Sequence, residues 1–333
     1  MIKKYINVFA SMIISVVVLS SCFRKETPYP LPEKEPIGAE TKEDNLDLGN
    51  QYINQIFYSL ENGVVKTNAY TVWDLAFSTN DQNEVWMNNG KNILLYLTDA
   101  NDLTTITSVS GLDAKLWKYD DNTGLAGKSG LGFIDNNTHL NKVIIAKITN
   151  NIYYKFIIKE SNATAYVINV AALDGTTGTE YTIPKDNTVN FVYFSFTDGV
   201  LNIEPPKTDW DIMFTRYRYI YKGYNQDGSD LLYLVTGVLS NPYNTLTAGD
   251  SVVFRDYNTF NKDSIASMQL VPNLDNIGWN WKTVDINTGN YVVNSKMIYV
   301  IKDQKENYWK FHFYSYVNNL GVKGNPHFRF EKL

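Results

Sequence analysis

The stretch VWDLAFSTN, residues 72–80, decides the fold, because the chain repeats it with little drift as DWDIMFTRY, residues 209–217. Only seven of the 333 residues are Trp. Two Trp-Asp pairs in the same setting therefore indicate an internal duplication. Aligning the two copies places Trp73, Asp74 and Phe77 on Trp210, Asp211 and Phe214.

The blocks on either side of this phrase repeat in the same order. FYSLENGVV, residues 57–65, matches YFSFTDGVL, residues 193–201, at an offset of 136. Further on, NNIYYKF, residues 150–156, matches KENYWKF, residues 305–311, at an offset of 155. The larger offset predicts that the second copy carries about 20 extra residues between the Trp-Asp phrase and its final strands.

Each copy opens with a predicted hairpin. The Asn-Gly turn at 62–63 and the Asp-Gly turn at 198–199 favour the positive φ of a tight connection. The Trp of each phrase is large enough to anchor a sheet core, and the neighbouring Asp should point the other way, towards turn amides or solvent. We therefore expect Asp74 and Asp211 to bind backbone groups rather than to act in catalysis.

Strand signals dominate the rest of the chain. Short runs rich in Val, Ile, Tyr and Phe are bounded by turn compositions such as NNG, DGT and TDG. In the run YWKFHFYSY, the residues Trp309, Phe311 and Phe313 share one face, as a half-buried antiparallel strand requires. The sequence predicts an all-β, mainly antiparallel fold with two tandem domains, residues 45–172 and 177–333.

The N-terminal segment is typical of a lipoprotein signal peptide. Lys3 and Lys4 precede an apolar run that is too short and too early for an ordinary membrane span. Residues 19–22, LSSC, look like a bacterial lipobox, in which cleavage removes residues 1–21 and leaves Cys22 to carry lipid. Several acyl chains on one residue are enough for stable anchoring. A plain secretory signal that ends near a Cys is the alternative.

A tether is predicted between this anchor and the first domain. Residues 22–44 contain four Pro and many charges, the composition of a semi-extended linker. Phe23, rather than Asp, follows the Cys, which favours the outer over the inner membrane by analogy with known sorting signals. The expected location is the outer membrane, lipid-anchored, on its periplasmic or cell-surface face.

Charge and motifs narrow the function classes. Without residues 1–21 the chain has 28 basic and 35 acidic residues, a formal charge of −7, which argues against nucleic acid as a partner. It contains no HExxH, P-loop, dinucleotide fingerprint or GxSxG motif. With three dispersed His and one Cys, nucleophile and base chemistry has few residues, so we predict that the protein is not an enzyme. A hydrolase built on two facing carboxylates stays open.

Several blocks together resemble the HmuY-like lipoproteins of Bacteroidetes. They cover most of the chain from about residue 46 and include YINQIFYSLENGVV, VWDLAF, FVYFSFTDGVLNI, KTDWDIMFTRY and YWKFHFYSYVNNLGVKGNPHFRFEKL. The resemblance implies a β-rich fold and a lipid-anchored outer-membrane location. For founding members it also implies capture of haem, held between two axial side chains, for delivery to a TonB-dependent receptor.

The haem ligands implied by the family carry over only in part. The region before the last strands of the second domain contains no His, and its ligand candidates are Met268 and Met297. In the first domain, His139 lies in the polar stretch DNNTHLNKVII, where some relatives place a Thr-His pair. We take His139, Met268 and Met297 as the candidate haem ligands, and a solvated loop side chain as the alternative for His139.

Two functional hypotheses follow. The first is a lipid-anchored, HmuY-type haem-binding protein whose affinity comes largely from an apolar, aromatic-lined slot rather than from a His pair. The second is a binding module without haem, whose aromatic surface holds a glycan, a peptide or a partner of an uptake complex. Clustered exposed Trp and Tyr would favour the second hypothesis. The stretch that only the second copy carries is where we expect function to lie.

Overall fold

The fold is all-β, as predicted, with antiparallel pairing in every ladder between the strands described. The structure, a computed structural model, describes residues 38–149, 152–250, 256–294 and 296–333. The predicted signal peptide, Cys22 and most of the tether lie outside these residues. Residues 42–44, which the composition assigned to the tether, belong to a strand.

Twenty strands are present in the described part of the chain. The first ten are β1 (Lys42–Asn45), β2 (Asn54–Ser59), β3 (Gly63–Ala69), β4 (Leu75–Ser78), β5 (Val85–Met87), β6 (Leu94–Leu97), β7 (Val143–Ile148), β8 (Ile152–Ser161), β9 (Ala165–Ala172) and β10 (Thr179–Pro184). The others are β11 (Phe191–Ser195), β12 (Gly199–Leu201), β13 (Ile212–Tyr221), β14 (Leu231–Ser240), β15 (Leu246–Asp250), β16 (Lys282–Val284), β17 (Tyr291–Val293), β18 (Ile298–Lys302), β19 (Tyr308–Val317) and β20 (Lys323–Lys332). Short 3₁₀ helices cover Asn50–Tyr52, Tyr70–Val72, Asn89–Lys91, Leu103–Thr105, Ala114–Leu116 and Lys262–Ser267.

The two copies exchange their opening hairpins. The hairpin β2–β3 of the first copy pairs with β13, which follows the Trp-Asp pair of the second copy. Reciprocally, the hairpin β11–β12 of the second copy pairs with β4 of the first. The result is two four-stranded sheets, ordered β14-β13-β2-β3 and β12-β11-β4-β5, each built from both copies. We call this arrangement the hairpin exchange.

The Asp of each Trp-Asp phrase accepts a hydrogen bond from the hairpin of the other copy. Asp211 Oδ2 accepts the backbone N–H of Leu60 at 2.8 Å, and Asp74 Oδ2 accepts that of Phe196 at 2.8 Å. Leu60 and Phe196 are equivalent positions of the repeated hairpin block. Both Asp side chains are buried. The expectation that these carboxylates bind backbone groups is confirmed.

The Trp residues pack across the same junction. Trp210 meets Phe57 edge-on with ring centroids 5.0 Å apart, and Trp73 meets Tyr193 in the same way at 4.8 Å. Phe57 and Tyr193 are again equivalent, as the first residues of the two matching blocks. Each Trp therefore packs against the hairpin that comes from the other copy, in a small core between the two sheets.

Two five-stranded sheets complete the molecule, ordered β10-β9-β8-β7-β6 and β1-β20-β19-β18-β15. Core one takes its buried residues from 75–196, and core two takes them from 46–60 and 212–330. The predicted limits, 45–172 and 177–333, follow the repeat along the sequence. In space, each core draws on residues from both sides of those limits.

A non-strand segment of the chain, the cover of the sheet, packs on the outer face of each five-stranded sheet, and a buried Lys of the sheet donates hydrogen bonds to backbone carbonyls of that segment. Lys155 donates to the carbonyl of Ile106 at 2.6 Å, and Lys310 donates to those of Tyr257 and Phe260 at 3.1 and 3.2 Å. Lys155 and Lys310 are equivalent positions of the blocks NNIYYKF and KENYWKF, so the repeat extends to this contact.

The extra residues of the second copy lie in the β13–β14 hairpin. Asn88 and Asn241 are equivalent, because each donates its side-chain amide to the carbonyl of the copy's own Trp and its backbone N–H to that of the following Asp. The offset between the copies therefore grows from 137 at the Trp pair to 153 at the Asn pair, within one hairpin. β13 and β14 have 10 residues each, whereas β4 and β5 have four and three.

Candidate functional site

The long β13–β14 hairpin presents a group of aromatic rings. Its register pairs Tyr219 with Tyr233 and Tyr221 with Leu231, so the three Tyr share one face. Trp279 packs against Tyr219 and Tyr221, with ring centroids 5.7 and 6.4 Å apart, and Tyr224 lies 5.6 Å from Tyr221. Tyr224 and Tyr233 are 69% and 52% exposed. We call these residues the aromatic patch: Tyr219, Tyr221, Tyr224, Tyr233 and Trp279.

A groove with a volume of about 420 Å³ lies beside the patch, along the outer strand β14. Four rings line it, and two cationic side chains join them, while no Asp or Glu is among its lining residues in the described chain. Its volume falls in the range typical of small-molecule sites. We call it the aromatic groove, and its main side chains are Tyr52, Tyr233, Trp279, Tyr291, Arg216 and Lys282.

The loop that carries Trp279 is held against β14 by backbone contacts. Val238 and Gly278 exchange two backbone hydrogen bonds of 2.9 and 3.0 Å. A Cβ on Gly237 would lie 2.3 Å from the Gly278 carbonyl oxygen, so this close approach requires glycine at 237. The hairpin β16–β17 follows and supplies Lys282 and Tyr291 to the groove.

The surroundings of Lys282 shift the pKa of its side chain. Its Nζ donates to the Thr236 carbonyl at 2.6 Å and lies 4.1 Å from the ring centroid of Trp281 and 4.7 Å from that of Tyr316. Burial lowers the pKa of Lys282 to about 7, because the charged form loses its hydration. The charge of this side chain therefore changes near neutral pH.

Arg216 lies where the groove continues towards the first copy. Its guanidinium carbon is 5.8 Å from the ring centroid of Tyr70, and Nη1 donates to the Tyr70 hydroxyl at 3.4 Å. A neighbouring groove of about 610 Å³ shares Arg216 and adds Lys91 and Lys147. Lys91 forms an ion pair with Asp74, so Arg216 and Lys147 supply the positive charge on the two sides of the boundary between the copies.

A separate groove of about 440 Å³ is lined by acids, including Glu61, Asp211 and Asp303. Asp211 holds the Leu60 amide, and Asp303 Oδ2 accepts the Trp309 indole N–H at 2.8 Å. Burial raises the pKa of Asp211 to about 6. Glu61 forms an ion pair with Lys305. Each of these carboxylates is thus engaged in holding the structure together.

His139 lies in the turn before β7, apart from the aromatic groove. Only 7% of it is exposed, and its Nδ1 accepts the backbone N–H of Asp135 at 3.3 Å and lies 3.2 Å from Asp135 Oδ2. The ring therefore closes the turn 135–139. Its expected place in a polar loop is correct, but the side chain is buried rather than solvated.

The two candidate Met residues lie in different packing clusters. Met297 is buried in core two, where its Sδ accepts the hydroxyl of Tyr299 at 2.9 Å. Met268 ends the 3₁₀ helix Lys262–Ser267 and packs against the cover of the sheet, with Tyr257 and Phe260. Neither residue lines the aromatic groove, and the structure does not bring His139, Met268 and Met297 together in one cluster. The described residues also contain no group of three or more His, Cys, Asp or Glu that could hold a metal ion.

The sequence predicts the region that contributes to the groove, but it does not predict which residues line the groove. The repeat indicated a stretch unique to the second copy, and β13–β14 is that stretch. Tyr233 is part of this extension, whereas Arg216 lies within the repeated phrase 209–217. Lys282 and Tyr291 lie in β16–β17, and only the fold shows that these two hairpins meet along β14.

Comparisons with solved structures are distant. The apo HmuY analog of Tannerella forsythia (TFO) is 14% identical, with 88% of this chain and 95% of that chain covered and a TM-score of 0.25. Apo PinO from Porphyromonas gingivitis is 10% identical, with 89% and 98% covered and a TM-score of 0.27. Scores this low support no conclusion about this chain.

Two further comparisons concern membrane spans and sequence families. Within the described residues no helix is both long and apolar enough to span a membrane. No curated protein matches the chain. Residues 187–330, from just before β11 into β20, match the family model described as HmuY protein. This segment contains the long hairpin, β16–β17 and the final strands. Over residues 187–330, the chain is similar to the HmuY family.

Proposed function

We propose that this protein is a lipid-anchored haem-binding protein of the HmuY type and that the aromatic groove is its binding site. The observation that carries this proposal is the groove itself, to which the described part of the chain contributes four aromatic rings, two cationic side chains and no carboxylate. A flat tetrapyrrole with anionic propionates matches these features, because its faces stack on rings and its carboxylates pair with Arg216 and Lys282.

Iron coordination plays a smaller part in this proposal. Among the described residues, no His, Met or Cys lines the groove, and burial raises the pKa of Tyr291 to about 12, which disfavours a phenolate ligand at neutral pH. Affinity then comes from the porphyrin ring and its propionates. His139, Met268 and Met297 stay candidate axial ligands, and each would have to leave its present packing to reach a ligand in the groove.

Titration with haem and with iron-free protoporphyrin IX tests this proposal. We expect both to bind the chain without its signal peptide with Kd values within about threefold of each other, because the shared ring and propionates supply the affinity. Haem binding that far exceeds porphyrin binding, and that is lost in His139→Ala, Met268→Ala or Met297→Ala, would instead show axial coordination. The absence of saturable binding of either molecule at micromolar concentration would overturn the proposal.

We also propose that the chain consists of two tandem HmuY-like units of common origin, which the equivalent contacts of Asp74 and Asp211 and of Lys155 and Lys310 support. Lipid on Cys22 would hold the protein in the outer membrane, where a TonB-dependent receptor is the proposed recipient of haem. Radiolabelled palmitate incorporation that disappears in Cys22→Ala is the expected result for the anchor.

A non-haem binding module is the second candidate, and one observation favours it. The aromatic patch is a cluster of exposed rings, with Tyr224 and Tyr233 more than half exposed. Such rings stack on the apolar faces of sugars as readily as on a porphyrin. Binding of the chain to a glycan array that is lost in Tyr224→Ala would support this candidate, because Tyr224 is not among the lining residues of the groove.

A further inference from the structure

A second, smaller cavity lies at the centre of the molecule, between the two four-stranded sheets. Its volume is about 110 Å³. One sheet, with the residue Trp73 just before its strand β4, contributes Trp73, Trp86 and Tyr193 to the lining. The other sheet contributes Gln55, Met213 and Tyr217. It is therefore bounded by both copies, and we call it the central cavity. This volume is below the roughly 150 Å³ of an apolar cavity known to hold benzene, so the occupant can have no more than one small ring.

Gln55 places a polar group in this apolar setting. It is only 1% exposed, and the equivalent position of the repeat in the second copy is Phe191. Its Oε1 accepts from the Trp73 indole and the Thr215 hydroxyl, both at 3.4 Å, and the indole donor fixes which end of the amide is oxygen. No protein group in the described chain lies within hydrogen-bond distance of Nε2.

Tyr217 provides a second donor. It is 4% exposed, and its hydroxyl likewise has no protein hydrogen-bond partner within the described ranges. Burial raises the pKa of Tyr217 well above its ordinary value, so the hydroxyl keeps its proton. Buried donors without partners destabilise a fold unless something accepts from them.

The rim of the cavity is closed by contacts between the copies. Leu274 donates its backbone N–H to the Thr123 carbonyl at 2.8 Å, and the side chains of Asn122 and Asp275 are hydrogen-bonded. Asn122 and Leu274 line the cavity, so these contacts lie at its edge. An occupant would enter where the loop 121–124 meets residue 274. Asp121 and Arg216 both line the cavity, so charges of both signs lie there and a neutral occupant is favoured.

We propose that the central cavity is a ligand site for a small neutral aromatic molecule that carries a carbonyl group. The aromatic walls stack on the ring, and the Gln55 amide and the Tyr217 hydroxyl donate to the carbonyl oxygen. This site is separate from the aromatic groove and does not depend on haem.

Acetophenone and ethylbenzene form a matched pair of probes, because they differ in replacing the carbonyl by a methylene. We expect acetophenone to bind about tenfold more tightly than ethylbenzene, which is the effect of one net hydrogen bond. Methyl resonances of Met locate the binding. Without its signal peptide the chain has four Met, of which Met87 and Met213 line the cavity, whereas Met268 and Met297 do not and serve as internal controls.

Two variants test the donors. Gln55→Leu and Tyr217→Phe should each reduce the preference for acetophenone at least threefold and leave ethylbenzene binding in place. Tyr217→Phe should not lower the melting temperature, because it removes a buried donor that has no protein partner. Gln55→Leu also removes the acceptor of the Trp73 indole and the Thr215 hydroxyl, so we expect it to lower the melting temperature. If the wild-type chain binds neither probe, binds both equally, or shifts Met268 and Met297 instead, the proposal is wrong. That comparison needs no variant, so a variant that fails to fold does not affect it.

Discussion

At the scale of single residues, Asp74 and Asp211 show how a carboxylate can specify a long-range pairing. Each accepts one backbone N–H from the hairpin of the other copy, and each is buried. Neither contact is local, because Asp211 and Leu60 are 151 residues apart and Asp74 and Phe196 are 122 apart. The Asp of the repeated phrase therefore helps to hold the exchanged hairpin in place.

Removal of either carboxylate should destabilise the fold. We expect Asp211→Ala to lower the free energy of unfolding by about 1–3 kcal/mol, because the Leu60 N–H is left buried without an acceptor. Asp74→Ala should behave in the same way. Asp209→Ala, at an exposed neighbouring position, is the matched control and should change stability by less than about 0.5 kcal/mol. Urea unfolding measures all three, and an unchanged midpoint for Asp211→Ala would contradict this role.

Lys282 makes the aromatic groove sensitive to pH. Its pKa in the folded protein is about 7, so the ammonium is present below that pH and is lost as the pH rises through it. We expect affinity for protoporphyrin IX, an anionic ligand, to fall between pH 6 and pH 8.5 in the wild type. In Lys282→Leu this fall should be much smaller, whereas an equal fall in both proteins would assign the pH dependence to another group.

The lowered pKa of Lys282 also makes the free energy of unfolding depend on pH, in a direction that follows from the shift. Between about pH 7 and the ordinary pKa of 10.5, the unfolded chain binds a proton on this Lys that the folded protein does not. Stability therefore rises with pH across this window relative to Lys282→Leu. Urea unfolding of both proteins at pH 6 and pH 9 provides this independent control on the binding result.

At the scale of elements, the β13–β14 hairpin is where the copies differ most. Its extension carries Tyr233 into the aromatic groove and Tyr224 to the exposed turn. We expect Tyr233→Ala to weaken porphyrin binding about tenfold. The estimate rests on the stacking of a flat nucleobase on an aromatic side chain, which contributes roughly 1–3 kcal/mol. Tyr224→Ala should change it by less than twofold. Fluorescence titration of both variants distinguishes the groove from the exposed patch, because equal losses would indicate that the whole patch is the binding surface.

The sequence was sufficient for the class of fold and for the structural role of the two Asp residues, and its repeated blocks indicate which positions make equivalent contacts. Strand composition and the offsets 136 and 155 carry that information directly. The hairpin exchange could not be predicted, because FYSLENGVV and YFSFTDGVL have nearly the same pattern. Either hairpin satisfies the local rules for pairing with β4 or with β13, and only the surrounding packing selects between them. The aromatic groove could not be predicted from the sequence either, because β14 and β16–β17 meet only through tertiary contacts.

At the scale of the whole molecule, the composition of the two cores predicts which fragments fold. Residues 70–204 contain every buried member of core one, whereas residues 45–172 lack four of them, Ile183, Val192, Phe194 and Phe196. We therefore expect the fragment 70–204 to unfold cooperatively on heating and the fragment 45–172 to show no cooperative transition. Circular dichroism melts of both fragments measure this. The reverse outcome would show that the repeat along the sequence, and not the exchange, defines the folding unit.

The pairing of β1 with β20 sets an order of events for a chain that emerges N-terminus first. Thr41 and Glu331, beside this ladder, are hydrogen-bonded although 290 residues separate them. Core one is complete once residue 196 is available, but core two needs Phe330. β1 must therefore wait, with an unpaired edge, until almost the last residue of the chain is available. Closing so long a loop is slow and leaves that edge open to pairing with other chains in the meantime.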